Sequence, residues 1–512
     1  MKIKKLLKKI FNRNAVFIFT LLLQIAFLVL MVTALKDKFY FIYPMLIVLD
    51  IVLIIYIVNK DDNPSYKLAW VIAISVVPVF GGITYLYIKF SQKYPKNINQ
   101  LQQEHSKSYL IQNNDILEEL KSQSKESANL AKYIIKYGPF PVYRHVEAEY
   151  FPLGELQFQT MIEELNKAKK FIFMEFFIIS DGYMFNTITD ILIKKAKEGV
   201  DVRLMSDGIG TGMLSVQSEL FEKLMKNGVK CRTFNPFRPF LSSVQNNRNH
   251  RKTIVIDGNT AFNGGANLAD EYINHIERFG HWKDTAIMIR GNAVWNYTVM
   301  FLQLWEAADK NAADYEQYIP SYSEFEAMPT DGYIQPFSDT PLDNEQVGKQ
   351  VYIDLISNAE NYLYITTPYL ILDSEMLSAL QFSAKKGVDV RIITPHIPDK
   401  WYVHHIAWNT YPKLIEAGVK IFEYTPGFIH AKSCVADGKK AVIGTINLDY
   451  RSLYLHYESA AILYRCSVIS RMQEDFEDTL KVSQQITLED CKNRPLYKKI
   501  SGCLLEIFSP LM

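Results

Sequence analysis

Two stretches decide how this 512-residue chain reads: His250-Arg251-Lys252-Thr253-Ile254-Val255-Ile256-Asp257 and His430-Ala431-Lys432-Ser433-Cys434-Val435-Ala436-Asp437. Each is followed at the same distance by a glycine and an asparagine, Gly264-Gly265-Ala266-Asn267 in the first and Gly444-Thr445-Ile446-Asn447 in the second. Both therefore spell H-x-K-x4-D-x6-G-[GT]-x-N. The apolar run from Thr253 to Ile256 predicts a strand, on which His and Lys two positions apart share one face and the residue between them points the other way. One such motif is weak. Two with five matched residues at identical spacing are not.

The surroundings repeat as well. Ala196-Lys197-Glu198-Gly199-Val200-Asp201-Val202-Arg203 returns as Ala384-Lys385-Lys386-Gly387-Val388-Asp389-Val390-Arg391, and Gly228-Val229-Lys230 returns as Gly418-Val419-Lys420. An offset of roughly 190 residues indicates a duplicated domain, since a solenoid repeats every 20–50. Within each half an aromatic and β-branched run, a helical pattern closed by glycine and a second apolar run predict βαβ units, with helices on both faces of a sheet. The expected fold class is α/β, in two halves spanning residues 140–330 and 331–512. The Pro- and Gly-containing stretch 314–333 is the expected linker.

Ahead of the halves lie three apolar runs, at about residues 15–35, 39–58 and 68–88, after a start rich in lysine. Each approaches the ~20 residues needed to cross a bilayer. The first is longer than a signal-peptide core, so residues 1–95 are expected to be an N-terminal α-helical transmembrane region of two or three spans, with 96–139 a connecting segment. The basic start places the N-terminus in the cytoplasm, and the count of spans leaves the face of the two halves open. A multi-pass location in the plasma membrane is expected.

Composition excludes several classes. Net charge is +1, and the 31 tyrosines are spread along the chain with no basic stripe interleaved with aromatics, so nucleic acid is not an expected partner. Five cysteines without a C-x-x-C pair form neither a disulfide framework nor a zinc site, and they read as small buried hydrophobes. No phosphate-binding glycine loop, dinucleotide fingerprint or acidic cluster for Mg²⁺ is present, so no cofactor and no metal is expected.

The duplicated motif suits phosphodiester chemistry. A neutral imidazole can attack phosphorus and become a phospho-histidine, while a second, protonated one donates to the leaving alcohol. Histidine, with an ordinary pKa near 6.5, can play both parts near neutrality. His250 and His430 are the candidates, with Lys252 and Lys432 neutralising the phosphoryl oxygens and the amides of Asn267 and Asn447 bonding them. Asp257 and Asp437 are grouped with this catalytic set by the motif. Each histidine also needs an acid to hold its tautomer, and Asp284 and Glu458 lie at comparable distances downstream of His250 and His430.

The motifs resemble the signature of the phospholipase D superfamily over about residues 140–512. The resemblance implies a pseudo-twofold pair of halves with the two histidines facing across the interface, His250 as nucleophile and His430 as acid. It also implies a structural place for Asp257 and Asp437, away from the phosphate. The stretches Asn63-Pro64-Ser65 to Trp70, Asn267 to Tyr272, Phe279 to Asp284 and Asn447 to Ser452 are similar to bacterial cardiolipin synthases. That family implies transfer of a phosphatidyl group between two phosphatidylglycerol molecules, releasing glycerol, with anionic phospholipid and the bilayer as partners; a hydrolase on the same scaffold is the alternative. His456 stands where the family often has asparagine, Thr445 is a small change from Gly265, and the first half carries an insertion, Phe237 to Asn249, whose Arg238-Pro239-Phe240 reads as a surface or lipid-gripping loop.

Overall fold

The computed structural model describes residues 39–78, 80–90, 107–211, 215–236, 243–309, 314–320, 325, 328, 331–343 and 345–511. The first apolar run and Arg238-Pro239-Phe240 lie outside them. The chain divides into two compact units, one centred on residues 1–94 and the other on residues 95–236 and 247–509.

In the first unit the second apolar run forms helix α1, Phe39–Asn59. The third run does not form one helix. It folds as α2, Pro64–Val76, and α3, Phe80–Phe90. Asn63 caps α2 by accepting from the Ser65 N–H, and Pro64 occupies the first turn, where a missing N–H costs nothing. Pro78 ends the helical stretch: the residue before a proline is pushed out of the helical region, and Val77 sits at φ −125°, ψ 72°. At 1.5 Å per residue α2 is roughly 20 Å long, short of the ~30 Å hydrocarbon core. Among the described residues no helix is long and apolar enough to cross a membrane. The three turns pack closely because Gly81 and Gly82 carry no side chain: a Cβ on Gly81 would stand 2.6 Å from Ile74 Cα, and one on Gly82 2.2 Å from the buried Asp50 carboxylate.

Among the described residues the second unit holds two large sheets and a third of two strands. The first contains β1 (Val146–Phe151), β2 (Phe171–Phe176), β3 (Asp201–Asp207), β4 (Lys230–Phe234), β5 (Thr253–Ile256), β6 (Thr260–Gly264) and β8 (Ala286–Gly291), in the order β1-β8-β6-β5-β2-β3-β4. The second contains β9 (Tyr333–Asp339), β10 (Tyr362–Thr366), β11 (Asp389–Pro395), β12 (Lys420–Tyr424), β14 (Ser433–Ala436), β15 (Lys440–Gly444), β16 (Glu458–Tyr464) and β17 (Ser483–Ile486), in the order β17-β12-β11-β10-β14-β15-β16-β9. Apart from β17 the two orders are the same list, so the sequence repeat is a repeat of topology. β2, β3 and β4 run parallel, as do β10, β11 and β12, with helices in their crossovers. The motif strands β5 and β14 pair antiparallel to β2 and β10, which makes each sheet mixed.

The central strands are buried on both faces, as a sheet covered by helices requires. Besides a core cluster in the first half around Phe158, Ile188 and Leu204, one core cluster runs across both halves. The helix Val294–Asp309 buries Trp295, Tyr297, Met300 and Phe301 in it, and Phe301 stacks on Phe173 of β2 at 4.6 Å. Residues 114–137, expected as a connector, form two helices that bury Leu120, Ala128, Ala131 and Ile134 in that core. Of the cysteines, Cys503 is exposed and Cys231 is half-buried, against the expectation that all are buried; the other three are buried.

Two backbone connections tie the halves together at the motifs. The third sheet is a parallel pair, β7 (His281–Lys283) with β13 (Gly427–Ile429). On the other side Asn249 and Tyr457 form a parallel bridge.

Candidate active site

The two connections place the motif histidines. Beside the Asn249–Tyr457 bridge the His250 N–H donates to Tyr457 O at 2.9 Å, and the next residue after Tyr457 is Glu458. At the end of the β7–β13 pair the His430 N–H donates to Lys283 O at 2.7 Å, and the next residue is Asp284. Each histidine thus enters its strand alongside the acid-bearing strand of the opposite half.

The side chains complete the crossing. His250 Nδ1 donates to Glu458, at 2.8 and 3.0 Å from its two oxygens, and His430 Nδ1 donates to Asp284 Oδ2 at 2.7 Å. Both acids are fully buried. Because Nδ1 is engaged in each ring, Nε2 is the atom left to meet a reactant. Counting downstream from each motif pairs Asp284 with His250 and Glu458 with His430; the fold exchanges the partners.

Lys252 and Lys432 are buried beside the histidines. Each donates from Nζ to the backbone carbonyl of its own motif's histidine, at 2.6 Å for Lys252. Burial lowers the Lys252 ammonium to about 7 and that of Lys432 to about 8, and Lys432 lies near enough to Lys252 for its charge to add to that lowering. Burial also holds both imidazoles below their ordinary value. The acids diverge. Burial lifts Asp284 to about 7 against the pull of Lys432, whereas at Glu458 the same burial is outweighed by His250, which holds the carboxylate in its ionised form.

Residues outside the motif histidines and lysines support these dyads. Thr445 donates its hydroxyl to Glu458. At the matching position a Cβ on Gly265 would stand 2.0 Å from Asp284 Oδ1, so glycine there makes room for the carboxylate. The exchange of Gly265 for Thr445 is therefore no small change: one acid is given space, the other a donor. Phe177 packs edge-on against His250 at 5.1 Å, and Tyr272 against His430 at 5.6 Å. Phe177 carries no motif signal, and Tyr272, though it closes a stretch quoted for the family resemblance, has no site role in the sequence reading. Asn267 accepts from the Ile178 N–H and donates to the Tyr272 hydroxyl, so most of its amide is committed to the protein; Asn447 Oδ1 is buried with no hydrogen-bond partner among the described residues.

Asp257 and Asp437, which the motif groups with the catalytic residues, are placed elsewhere. Both sit at the far ends of β5 and β14, in left-handed turns at φ 52° and 53°. Asp257 accepts from the N–H groups of Lys169, Lys170 and Phe171 at 2.6 to 2.9 Å, and Asp437 from those of Glu360, Asn361 and Tyr362 at 2.7 to 2.9 Å. Each carboxylate caps the start of a neighbouring central strand. Their work is in the framework, because a strand rising ~3.3 Å per residue carries them away from the histidine at its other end.

The two halves match the family model described as the PLD-like domain of cardiolipin synthase, over residues 161–305 and 352–480. The chain belongs to the bacterial cardiolipin synthases of the phospholipase D superfamily. This cardiolipin synthase family member is 35% identical to the cardiolipin synthase of Alkalihalophilus pseudofirmus, over 91% of this chain and 92% of that one. It is 34% identical to cardiolipin synthase 2 of Bacillus anthracis over 88% of each. An uncharacterized protein of Streptococcus mutans is 44% identical over 90% of this chain and 99% of its own length. Residues 48–89 match the model of a phospholipase D-nuclease N-terminal region. The crystal structure of Haemophilus influenzae phosphatidylserine synthase shares the fold, with a TM-score of 0.57 at 14% identity, covering 74% of this chain and 97% of that one.

Proposed function

We propose that this enzyme is a phosphatidyltransferase that moves a phosphatidyl group from one phosphatidylglycerol to the terminal hydroxyl of a second, giving cardiolipin and glycerol. The observation that carries this reading is the pair of crossed dyads, each with a buried lysine two residues from its histidine. His250 Nε2 attacks the phosphorus, the bond to the glycerol oxygen breaks, and His430 gives that oxygen a proton. In the second step His430 takes the proton of the acceptor hydroxyl, the new phosphorus–oxygen bond forms and the phosphorus–nitrogen bond breaks. One phosphodiester is lost and one made, so no nucleotide is consumed.

The unlike acids support these roles. Glu458 is held ionised and so stabilises the charge that grows on His250 during attack. Asp284, lifted to about 7, makes with His430 a coupled pair able to hold a proton near neutrality, which a general acid requires. Lys252 and Lys432, buried with each Nζ on the carbonyl of its motif histidine, would supply positive charge to the phosphoryl oxygens, with Asn267 and Asn447 as the amides of the same motifs. Excluding water from this buried site favours a lipid alcohol over hydrolysis.

For location, the proposal is attachment to the plasma membrane through the apolar N-terminal sequence. The third run, broken at Pro78, is too short in either piece to span.

Incubating the detergent-solubilised protein with labelled phosphatidylglycerol and resolving the lipids tests the activity. Cardiolipin with released glycerol is the expected outcome. Phosphatidic acid as the main product would make the enzyme a hydrolase, and no turnover would reduce it to a lipid-binding scaffold.

A further inference from the structure

The two dyads are not copies of one another. Two residues before Asp284 the first half has Trp282, and two residues before Glu458 the second has His456. Trp282 lies 5.6 Å from the ring of His430, and His456 lies 5.4 Å from the ring of His250. Each motif imidazole therefore has an aromatic ring beside it at the same place in the repeat. Only beside His250 is that ring another imidazole.

His456 is 8% exposed, and both its ring nitrogens are buried without a hydrogen-bond partner among the described residues. Its Nδ1 stops 3.8 Å from Glu458 Oε1, the oxygen that His250 Nδ1 approaches at 2.8 Å. The Nδ1 atoms of two rings thus approach one carboxylate oxygen. Nε2 of His250 is where phosphorus must arrive. A buried nitrogen left unpaired beside that point is a cost to the folded protein that a bound reactant can remove.

The chemistry of that reactant follows from the neighbouring charges. Ligand atoms of His250, His456 and Glu458 lie within 4.8 Å of one another, close enough to suit a cation. The buried ammonium groups of Lys252 and Lys432 oppose one, and the lysine of the first motif already presses on His250. An anionic or hydroxyl oxygen is favoured instead.

We propose that His456 is a substrate-binding residue, its Nε2 holding an oxygen next to the attacked phosphorus. That oxygen belongs to the phosphoryl group or to a hydroxyl of the alcohol headgroup. The proposal rests on the phosphatidyl-transfer reading.

The test is steady-state transfer by the full-length protein in mixed micelles. His456→Phe keeps a ring of similar size without nitrogens and is expected to raise KM for phosphatidylglycerol roughly tenfold to hundredfold, with a smaller change in kcat. His456→Asn restores a polar group and should recover most of the loss. Phosphatidylethanol, a donor with no headgroup hydroxyl, separates the two sources. If the His456→Phe penalty persists on it, the contact is to the phosphoryl oxygen; if the penalty disappears, it is to the hydroxyl. An unchanged KM in His456→Phe overturns the proposal, as does an equal loss in kcat alone by the Phe and Asn variants, which is the signature of packing. Should His456→Phe fail to fold, His456→Ala takes its place. If the wild type binds phosphatidylglycerol without turning it over, the transfer reading fails, while the same comparison made on Kd still decides the role of His456.

Discussion

His250 donates its Nδ1 proton to Glu458 at 2.8 Å, across 208 positions of sequence and from one half of the duplicated domain to the other. Its counterpart His430 reaches back to Asp284 in the same way at 2.7 Å. Neither half contains a complete dyad. A single half, expressed alone, therefore has a histidine without an orienting acid, and duplication is a condition of the chemistry.

The crossed pairing makes the two acids separable by leaving group. Asp284→Asn disturbs His430, so transfer from phosphatidylglycerol should fall on the order of 10²–10⁴-fold, whereas the first-turnover release of nitrophenol from a donor with that leaving group, a step that needs no acid, should be largely spared. Glu458→Gln disturbs His250 and should not be spared. Sparing of the Gln variant alone would exchange the roles of the two histidines.

Gly265→Ala is the smallest change expected to stop the enzyme. The added methyl would stand 2.0 Å from Asp284 Oδ1, so the carboxylate must swing away from His430. Activity is expected to fall as in Asp284→Asn, with the thermal midpoint little changed. Full activity would show that the acid has room to spare.

Asp257→Ala and Asp437→Ala should separate folding from chemistry. Each leaves three backbone N–H groups without their carboxylate, at about 1–3 kcal/mol apiece for those that water does not reach. Denaturant melts should show the loss, and the fraction that remains folded should transfer at the wild-type rate. A normal melt with no activity would return these residues to the reacting centre.

Activity and stability should respond to pH in opposite senses. Lys252 and Lys432 lose their protons near 7 and 8 in the folded enzyme, so kcat/KM should fall as pH rises through that window. In the unfolded chain both keep their protons to about 10.5. Between those limits the unfolded state binds more protons, so these two groups make the ligand-free protein more stable as pH rises from 7 towards 10 and less stable as it falls back to 7. Paired rate and melting profiles check both signs, and a rate that is flat from pH 6 to 9 would remove the lysines from phosphate binding.

The sequence by itself determined the residues of the site and the kind of fold. Spacing alone matched His250, Lys252, Gly264 and Asn267 to His430, Lys432, Gly444 and Asn447, because side chains two apart on a strand must share a face and a repeat must place its copies alike. Asp284 and Glu458 were also within reach of that logic, as acids at similar distances downstream. Only the tertiary structure decided which acid serves which histidine. That choice lies in the β7–β13 pair and the Asn249–Tyr457 bridge, contacts between strands far apart in sequence, and periodicity along one strand carries no information about which strand stands opposite. The same reason hid Phe177, Tyr272 and the donor role of Thr445, and it left the asymmetry between His456 and Trp282 to be seen only once the two halves were folded against each other.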